Sequence, residues 1–365
     1  MNKTVFFSGG IDRAGGTERV LCLVASGLAK KGFDVTIVSM CGEKRSHYPL
    51  DERIKTIYME AEGFSQKIRK NIKDLSEIME TEKPDYWVDV DIILGLYTYF
   101  ARKKHREIKW IGWEHFNFFY NFMYYKTLRK IARKIVCKKA DALVVLSEED
   151  REYYRKNTKI GNRVYTIYNP SPFEIYDNYE NREKTVISIG RLTYLKGYDM
   201  LLKAWKKVSE GREDWKLVIA GDGEEKDSLN DLIKNENIKN VEMTGFVDEI
   251  GQLYEKASLY VLPSRNEGFP MVILEAMSYG LPCVAFGCKA GVGELIVDNK
   301  TGLVAENENI DDLAEKMGIL MDNQAKREEM SRAANIYVRN FDSKEICEKW
   351  SAFLHEIGQS RDNTK

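Results

Sequence analysis

A short strand, a glycine turn, a helix and a second strand are encoded in residues 259–286, LYVLPSRNEGFPMVILEAMSYGLPCVAF. The apolar runs Leu259–Leu262 and Cys283–Phe286 have the length of buried strands, and turn residues bound both of them. Pro270 falls where the first turn of a helix tolerates proline, so the helix is expected to begin there. Strands that alternate with helices in this way form βαβ units, and we therefore expect a parallel sheet.

The same alternation extends outward from this stretch through the chain. Near the N-terminus, a helix is predicted at Thr17–Lys31 between the first two strands, and Gly32 ends it. The strands predicted in the first half are Val5–Ser8, Asp34–Ser39, Tyr86–Val90, Ile108–Trp113 and Ala142–Leu146. The pattern then restarts, with strands at Thr185–Ile189, Trp215–Ala220, Asn240–Met243, Leu259–Leu262 and Cys283–Phe286.

Two domains are expected, because 365 residues are too many for one domain of about 150. The segment Tyr168–Pro172, followed by the polar run 177–184, is the predicted linker. The expected fold is α/β, with two doubly wound, Rossmann-like domains, each with a parallel sheet, and a cleft between them. The predicted bounds are 1–168 and 169–343, and an amphipathic helix over about 344–365 is expected to return to the first domain.

Charge is distributed unevenly along the chain, although the net charge is only −1. Residues 1–170 hold 31 Lys and Arg against 22 Asp and Glu, whereas residues 171–365 hold 25 against 35. The overall balance excludes a uniformly basic nucleic-acid-binding protein, and a 43% share of hydrophobic residues excludes a disordered chain. The excess of cations in the first half indicates an anionic partner on that side.

No secretion signal, membrane span or disulfide framework is predicted. The N-terminal run Val5–Phe7 is too short for a signal peptide, and no apolar stretch approaches about 20 residues. The cysteines lack CxxC spacing and are expected to be reduced thiols without zinc: Cys22, Cys41, Cys137, Cys283, Cys288 and Cys347. We expect a cytoplasmic protein, either free or at the inner face of the cytoplasmic membrane.

A glycine loop after the first strand, Gly15-Gly16-Thr17-Glu18, is a candidate anion site. Free backbone N–H groups and the helix dipole both favour an anion at the start of a helix. The spacing is neither GxGxxG nor that of a Walker loop, so no dinucleotide site or P-loop is predicted. A tight turn without a ligand is the alternative for this loop. For Glu18, a charge interaction with the helix start is the alternative to a catalytic role.

Two acidic residues of the stretch quoted first, Glu267 and Glu275, predict a ligand that carries hydroxyl groups. At the start of the helix, the backbone N–H groups of Met271 and Val272 are expected to bind a phosphate. Because carboxylates accept hydrogen bonds from hydroxyl groups, the two acids suit a polyol bound beside that phosphate. The alternative is a capped helix with a solvated acid.

A basic pair, Arg191 and Lys196, follows the first strand of the predicted second domain. Open α/β sheets bind their ligands at the carboxyl ends of the strands, where both residues are expected. Two cations at this position suit a diphosphate and would stabilise the charge of a phosphoryl leaving group. The alternative is a pair of solvated surface cations.

These motifs together resemble the retaining glycosyltransferases of the GT-B fold, glycosyltransferase family 4 (glycosyl transferases group 1), of the bacterial envelope and lipid-linked glycan type. The similarity lies in residues 15–18, 113–115, 188–191, 196–197, 220–223, 244–246 and 267–280. It implies transfer of a hexose or N-acetylhexosamine from a nucleotide sugar, UDP-linked on family frequency, to a glycan or lipid-diphosphate-linked acceptor. Polysaccharide, lipopolysaccharide or capsule synthesis would be the setting. No metal or other cofactor is implied.

The resemblance also implies roles for the motif residues, with donor binding mainly by the second domain. Arg191 and Lys196 would hold the diphosphate, and Glu275 the ribose. Gly245 and Phe246 would flank the base. The implied catalytic residues are His115, Arg191, Lys196 and Glu267. The implied donor-binding residues are Gly15, Gly16, Arg191, Lys196, Gly245, Phe246, Glu267, Phe269, Pro270, Met271, Val272 and Glu275.

Retention in this family implies a displacement on one face of the sugar, in which the departing diphosphate oxygen takes the acceptor proton. His115 would face the donor sugar, and a buried structural histidine is the alternative. Two departures from the family pattern affect the loops. Pro270 replaces a frequent glycine and removes one N–H group, and Asn169-Pro170-Ser171 replaces the usual Asn-Gly hinge.

An acceptor or membrane surface is predicted beyond His115. Seven of the ten residues 116–125 are aromatic, and no acid occurs between His115 and Asp141. The cations that follow at helical spacing are Lys126, Arg129, Lys130, Arg133 and Lys134. These cations are expected to lie on the face of the helix opposite Leu128, Ile131 and Ile135. A cationic helix face beside an aromatic cluster suits an anionic lipid or a lipid-diphosphate acceptor. The alternative is a core-packed helix with a solvated outer face.

Three other interpretations are open at this point. Asp89-Val90-Asp91 matches the DxD motif that holds a divalent metal in the other glycosyltransferase fold, although cationic diphosphate ligands make a metal unnecessary. A nucleotide-sugar epimerase of the same fold would release its product without an acceptor. A catalytically inactive sugar-nucleotide-binding partner is the third interpretation, and no motif predicts a nucleic-acid ligand.

Overall fold

The computed structural model describes residues 2–61, 67–119, 126–176 and 182–359. The chain divides into two compact units. Unit 1 comprises 1–172 and 341–365, and unit 2 comprises 173–340. Each unit is built on its own parallel sheet.

Unit 1 contains a sheet of seven strands within its described residues. They are β1 Lys3–Ser8, β2 Asp34–Ser39, β3 Lys55–Tyr58, β4 Tyr86–Val90, β5 Lys109–Trp113, β6 Ala142–Val145 and β7 Val164–Thr166. The strands are parallel and follow the order β3-β2-β1-β4-β5-β6-β7. Every residue of β4 and β5 is buried, as expected for central strands of a parallel sheet with both faces covered.

Helices connect these strands and cover the sheet. They are α1 Gly16–Lys30, α2 Ile68–Glu82, α3 Gly95–Ala101, α4 Lys126–Lys139 and α5 Glu148–Asn157. A C-terminal helix, Ser343–Gln359, packs against α1 in the same unit. Its Trp350 is fully buried, with a ring centroid 4.7 Å from that of Trp113. Gly27 allows the close approach of the two helices, because a Cβ there would collide with the Cys347 sulfur.

Unit 2 repeats this organisation with six described strands. They are β8 Thr185–Ile189, β9 Lys216–Ala220, β10 Val241–Gly245, β11 Leu259–Leu262, β12 Cys283–Phe286 and β13 Gly302–Ala305, in the order β10-β9-β8-β11-β12-β13. Its helices are α6 Tyr198–Val208, α7 Lys226–Asn235, α8 Gly251–Lys256, α9 Met271–Ser278, α10 Val292–Leu295, α11 Ile310–Asp322 and α12 Gln324–Val338. The stretch that opened the sequence analysis is therefore β11, a loop, α9 and β12.

The parallel βαβ organisation predicted from the sequence is confirmed, and three strands were missed. The missed strands β3, β7 and β13 each lie at an edge of a sheet. β3 is exposed or half-buried along its length, and β7 has only three residues. An edge strand needs few buried apolar residues, so hydrophobic periodicity gives it little signal.

The carboxyl ends of parallel strands meet at one edge of each sheet, which is where ligands bind in open α/β folds. We call these the unit 1 edge and the unit 2 edge. Loop 9–15, Asp91 and Glu114 follow strands at the unit 1 edge, and loops 190–197 and 263–270 follow strands at the unit 2 edge. Within the described residues, none of the helices combines the length and apolar character needed to cross a membrane.

Candidate active site

Two loops of the unit 2 edge, 190–197 after β8 and 263–270 after β11, are pressed together. Gly197 has a φ of 68°, a conformation that favours glycine, and a Cβ there would collide with the Pro263 carbonyl oxygen. The Arg265 N–H group also donates to the Leu195 carbonyl at 2.8 Å. The fold thereby holds the predicted residues of both loops close to one another.

Lys196 and Glu267, one from each loop, form an ion pair. The Lys196 Nζ lies 2.6 Å from the Glu267 Oε1, and the Ser264 hydroxyl donates to the same oxygen at 2.7 Å. Glu267 is buried, whereas the Lys196 side chain keeps 31% of its surface exposed. An ammonium group has three N–H donors, so Lys196 can bind an anion while it holds the carboxylate.

Arg191 lies in the same loop, exposed to solvent. It has no ion-pair or hydrogen-bond partner for its side chain within the described part of the chain. A guanidinium group with its donors unengaged suits a phosphate, to which it can bind through two parallel hydrogen bonds. Arg191 and Lys196 are thus two cations at one edge of the sheet, as the sequence predicted.

Helix α9 begins directly after loop 263–270, as predicted. Pro270 is the residue before the first turn, in an extended conformation, and the Ile273 N–H group donates to its carbonyl at 3.0 Å. Helices leave the N–H groups of their first residues without intrahelical acceptors. For α9 these include Met271, which is buried together with the preceding Phe269, and Val272, which is half-buried.

The remaining predicted donor residues of unit 2 lie in different surroundings. Glu275, in the second turn of α9, is only 5% exposed, and its Oε2 accepts a hydrogen bond from the Tyr254 hydroxyl at 2.9 Å. Burial and the adjacent Glu275 carboxylate raise the pKa of Tyr254 well above its ordinary value. Gly245 ends β10 with a φ of 73°, and Phe246 beyond it is 60% exposed. An exposed aromatic ring in a loop is available for stacking.

Arg265 ties the two loops together, and sequence reasoning missed it. Its guanidinium lies 4.0 Å from the Tyr194 ring centroid and donates to both Asp199 carboxylate oxygens, at 2.8 and 2.7 Å. The Asp199 carboxylate holds the pKa of this arginine above its ordinary value. A cation two residues before Glu267 was the available signal, but its partner is 66 residues away in sequence.

At the unit 1 edge, the predicted anion site at Gly15 and Gly16 lies next to an acidic side chain of the same helix. Glu18 folds back so closely that a Cβ on Gly15 would collide with its carboxylate. The carboxylate accepts a hydrogen bond from its own backbone N–H group, and burial raises its pKa. The start of α1 is therefore already beside a negative charge.

His115 follows β5 and is only 8% exposed. Its ring centroid lies 4.4 Å from that of Trp113, and its Nε2 atom has no hydrogen-bond partner among the described residues. Burial, with a smaller effect from the Arg129 charge, lowers the pKa of His115 to about 3. The imidazole is therefore neutral at physiological pH.

The predicted exposure of the two arginines of helix α4 was wrong. Arg129, expected on an exposed cationic face, is buried and bridges two carboxylates: its Nη1 donates to Glu114 at 2.8 Å and its Nη2 to Asp91 at 2.7 Å. Arg133 also turns inward and donates to the Tyr154 hydroxyl at 3.0 Å. Ile131, expected on the apolar face, is 44% exposed.

The physical reason is that two carboxylates at the ends of strands, the buried Glu114 and the half-buried Asp91, draw Arg129 inward. The buried face of the helix follows the ordinary i, i+3, i+7 spacing, with Arg129 in line with Ala132 and Val136. The exposed cations of the predicted set are Lys126, Lys130 and Lys134. Of the predicted set, these three lysines are therefore the side chains that can make the proposed contact with an acceptor or a membrane.

The two carboxylates of Asp89-Val90-Asp91 are engaged with protein groups. Asp89 is fully buried and accepts hydrogen bonds from Trp87, Thr98 and Trp110, and burial raises its pKa to about 7. Asp91 is paired with Arg129. Across the described ranges, no group of three or more His, Cys, Asp or Glu side chains is arranged to hold a metal.

Part of the predicted aromatic segment 116–125 lies outside the described residues, namely 120–125. The described part packs against the inward arginines. The Arg129 guanidinium lies 4.5 Å from the Phe116 ring centroid, and that of Arg133 lies 4.6 Å from the Phe118 centroid. These aromatic rings therefore cover the buried charges.

Comparison with known proteins identifies the family. Residues 14–172 match the family model described as Glycosyltransferase Family 4, and residues 175–336 match that described as Glycosyl transferases group 1. An uncharacterized glycosyltransferase of Haemophilus influenzae is 33% identical over 97% of this chain and 100% of its own length. The chain belongs to glycosyltransferase family 4. It is a glycosyltransferase, as the sequence motifs implied.

Two further relatives of this glycosyltransferase have names that state a biosynthetic role. One is the α-1,4-N-acetyl-D-galactosaminyltransferase of Campylobacter jejuni that acts on a PP-undecaprenol-linked glycan, 30% identical over 94% of this chain and 96% of its own length. The other is the amylovoran biosynthesis glycosyltransferase AmsD of Erwinia amylovora, 28% identical over 97% of this chain and 100% of its own length.

Solved structures confirm the predicted GT-B fold. Sucrose-phosphate synthase from Thermosynechococcus elongatus superimposes with a TM-score of 0.86 at 17% identity, over 99% of this glycosyltransferase and 100% of that chain. S. aureus TarM superimposes with a TM-score of 0.83 at 17% identity, over 97% and 100% of the two chains. At this level of identity the likeness concerns the fold alone.

Proposed function

We propose that this glycosyltransferase transfers a hexose or N-acetylhexosamine from a UDP-sugar to a glycan or lipid-diphosphate-linked acceptor, with retention of anomeric configuration. The observation that carries the proposal is the ion pair of Lys196 with the buried Glu267, together with the exposed Arg191 of the same loop as Lys196. Two cations of one loop, one of them paired with a fixed carboxylate, match a nucleotide sugar, whose diphosphate is anionic and whose sugar carries hydroxyl donors.

The proposed reaction exchanges one bond at the anomeric carbon for another. The bond from this carbon to the diphosphate oxygen breaks, and a bond to the acceptor hydroxyl oxygen forms on the same face. The departing diphosphate oxygen takes the hydroxyl proton. Negative charge grows on the diphosphate as its bond breaks, and Arg191 and Lys196 stabilise it. Because these cations supply the positive charge, we propose that no metal is required.

Glu267 is proposed to orient the sugar of the donor. Its carboxylate is fixed by Lys196 and Ser264, so it can accept a hydrogen bond from a sugar hydroxyl without first being ordered. The neutral His115 is proposed to face the donor sugar, with its Nε2 atom as the contact. Phe246 is proposed to stack on the base because its ring is exposed.

The acceptor proposal rests on the relatives and on the exposed face of α4. The C. jejuni relative is named for a substrate on PP-undecaprenol, and AmsD for the biosynthesis of a polysaccharide. Lys126, Lys130 and Lys134 are exposed at a spacing of four residues, which aligns them along one side of α4. A stripe of cations suits the diphosphate of a lipid-linked acceptor.

A peripheral contact with an anionic membrane is proposed for the same side of unit 1. Helices α2 and α4 each pack against α3, and all three carry an exposed apolar residue: Ile68, Phe100 and Ile131. The first turns of α2 and α4 hold no acid, although the helix dipole favours acids there. Apolar side chains among cations are typical of surfaces that bind anionic lipid.

A transfer assay with labelled nucleotide sugars and membrane lipid extracts tests the donor site. We expect label from a UDP-sugar to enter the lipid or glycan fraction, undiminished by EDTA, and Lys196→Ala to abolish the transfer. The matched control is Lys184→Ala, which removes an exposed pair with Asp214 in the same unit. Near-wild-type turnover of Lys196→Ala would overturn the diphosphate assignment. Release of an epimerised nucleotide sugar without acceptor would instead indicate an epimerase, and binding without turnover an inactive partner.

Sedimentation with liposomes tests the membrane contact. We expect binding that increases with anionic lipid content and decreases with salt, and that Ile131→Glu reduces. Ile336→Glu is the matched control, because Ile336 is also an exposed apolar side chain on a helix, 69% exposed, but lies on α12 of unit 2. Binding that does not depend on the anionic lipid content, or that both variants weaken equally, would contradict the proposal.

A further inference from the structure

The unit 1 edge contains a buried charge bridge that the proposed reaction does not use. Arg129 of α4 donates to the Glu114 Oε1 at 2.8 Å and to both Asp91 carboxylate oxygens, at 2.7 and 2.5 Å. The Glu114 side chain is 0% exposed and that of Arg129 is 10% exposed. The Asp91 side chain is 19% exposed. The bridge therefore joins a helix to the ends of two adjacent strands, β4 and β5, and its Glu114 end is closed to water.

Such a bridge is a costly way to stabilise a fold. Removing two or three charges from water costs free energy that their attraction often only balances, and well-packed apolar residues serve stability equally well. Asp91 also has a φ of 116°, a strained conformation for a residue with a side chain. Strain and buried charge at the ligand-binding edge of a sheet together point to a role in positioning.

The bridge acts on the residue directly before His115. Glu114 accepts from Arg129, from the Tyr154 hydroxyl at 3.0 Å and from the Phe116 N–H group at 3.1 Å. The Glu114 N–H group itself donates to the Val144 carbonyl of β6 at 2.9 Å. Side chain and backbone of residue 114 are thus both fixed, and the conformational freedom of the following peptide is reduced.

We propose that Arg129 is a positioning residue, which holds the His115 imidazole in one orientation toward the sugar by fixing Glu114 against Asp91. This inference rests on the proposed function, in which His115 faces the donor sugar. The Arg129 charge also contributes to the low pKa of His115, after burial. A neutral imidazole keeps one nitrogen as an acceptor and the other as a donor toward hydroxyl groups.

Histidine-selective NMR combined with kinetics tests the proposal in the full chain. The chain has only four histidines, so that His115→Asn identifies the His115 signal by its loss. We expect Arg129→Gln to raise the titration midpoint of His115. We also expect it to lower kcat on the order of 10- to 100-fold while the KM for the donor changes by less than about threefold, because a misplaced group slows the reaction more than it weakens binding.

Arg102→Gln is the matched control. Arg102 is likewise partly buried, 14% exposed, and bridges the Asp141 carboxylate and the Ile108 carbonyl at 2.8 and 2.7 Å, at the opposite edge of the same sheet. We expect it to leave the His115 titration and kcat near wild type. Equal effects of the two variants would reduce Arg129 to a structural role and overturn the proposal.

A second variant covers the case in which Arg129→Gln does not fold. Arg129→Lys keeps one charge but lacks the planar fork that reaches both carboxylates, so we expect the same changes at smaller size. An unaltered His115 titration with an unaltered kcat in this variant would overturn the proposal. If the wild type transfers no sugar, the proposed function fails, whereas the NMR comparison of the variants still reports on the bridge.

Discussion

The unit 1 edge and the unit 2 edge hold their charges in opposite ways. At the unit 2 edge, Lys196 and Arg191 reach solvent, and Lys196 forms a short ion pair with the buried Glu267. At the unit 1 edge, Arg129 and Glu114 are buried and paired with each other. Exposed cations are available to a ligand and contribute little to stability. A buried pair cannot reach a ligand, and removing one of its partners destabilises the fold because the other charge is left buried and unpaired.

This difference predicts the largest effect on activity at the unit 2 edge. We expect Arg191→Ala to lower kcat/KM for the donor on the order of 100- to 1,000-fold, because it removes a cation that stabilises charge in the transition state. The midpoint of thermal unfolding should stay near wild type, since the side chain is exposed and has no partner among the described residues.

Steady-state kinetics with a labelled donor measure this effect. Lys203→Ala, which removes another exposed cation of unit 2 on helix α6, is the control and should retain activity. A loss below about threefold for Arg191→Ala would mean that the exposed cation is solvated and unused.

The largest effect on stability is predicted at the unit 1 edge. Glu114→Gln leaves Arg129 with an incomplete set of acceptors in a buried site, and breaking a buried pair costs about 3–5 kcal/mol of unfolding free energy. Glu267→Gln weakens a pair whose lysine is partly exposed, and about 1 kcal/mol or less is expected.

Urea unfolding followed by tryptophan fluorescence compares the two substitutions, since both units contain tryptophan: Trp87, Trp110, Trp113 and Trp350 in unit 1, and Trp205 and Trp215 in unit 2. Where the two units unfold separately, each transition is analysed by itself. Equal losses for Glu114→Gln and Glu267→Gln would contradict the contrast between the edges.

The same contrast explains what the sequence could predict. The positions of the unit 2 edge loops could be predicted, because their residues are close in sequence to the strands and glycines that position them. Lys196 follows β8, and Glu267 follows β11. The parallel sheets followed from hydrophobic periodicity, which is strong in central strands and weak in edge strands such as β3.

The orientation of α4 was beyond the same reasoning. Periodicity counts Arg129 as a polar, outward residue, but its partners Glu114 and Asp91 lie 15 and 38 residues away. Only the folded sheet brings these two carboxylates together at the ends of β5 and β4. The long-range pairing of charges is not visible in one sequence, so a buried arginine is mistaken for an exposed one.

Acid sensitivity is a further difference that the unit 1 edge introduces. Burial and Arg129 lower the folded-state pKa of His115 to about 3, whereas an unfolded histidine titrates near 6.5. Below about pH 6.5 the unfolded chain therefore binds a proton that the folded chain does not bind. The contribution of the neutral, buried His115 to folding stability therefore falls as the pH drops from about 6.5 toward 3, and it is fully present above that window.

We expect the free energy of unfolding of the wild type to fall relative to that of His115→Asn by about 1 kcal/mol per pH unit within this window. Urea unfolding at about pH 6.5, 5.5 and 4.5 measures the difference in unfolding free energy between the two proteins. The buried carboxyl groups Asp89 and Asp150 have pKa values raised to about 7 and act in the opposite direction, but they are common to both proteins and cancel. Parallel pH profiles would show that His115 is not buried as described.

The smallest predicted effect concerns the glycine loop at the start of α1, at the unit 1 edge. Glu18 places a carboxylate against the start of α1, where a donor phosphate is proposed to approach Gly15 and Gly16. Glu18→Gln removes that negative charge, and a charge at a helix start contributes about 0.3–1 kcal/mol. We therefore expect the KM for the donor to fall by about two- to fivefold at saturating acceptor.

Glu149→Gln is the control, because Glu149 is an exposed acid in the first turn of α5, also at the unit 1 edge. Its KM for the donor should match that of the wild type. An unchanged or higher KM in Glu18→Gln would mean that the carboxylate serves only the helix start and that the two glycines form a tight turn. The donor phosphates would then be held by the unit 2 edge alone, through Arg191, Lys196 and the start of α9.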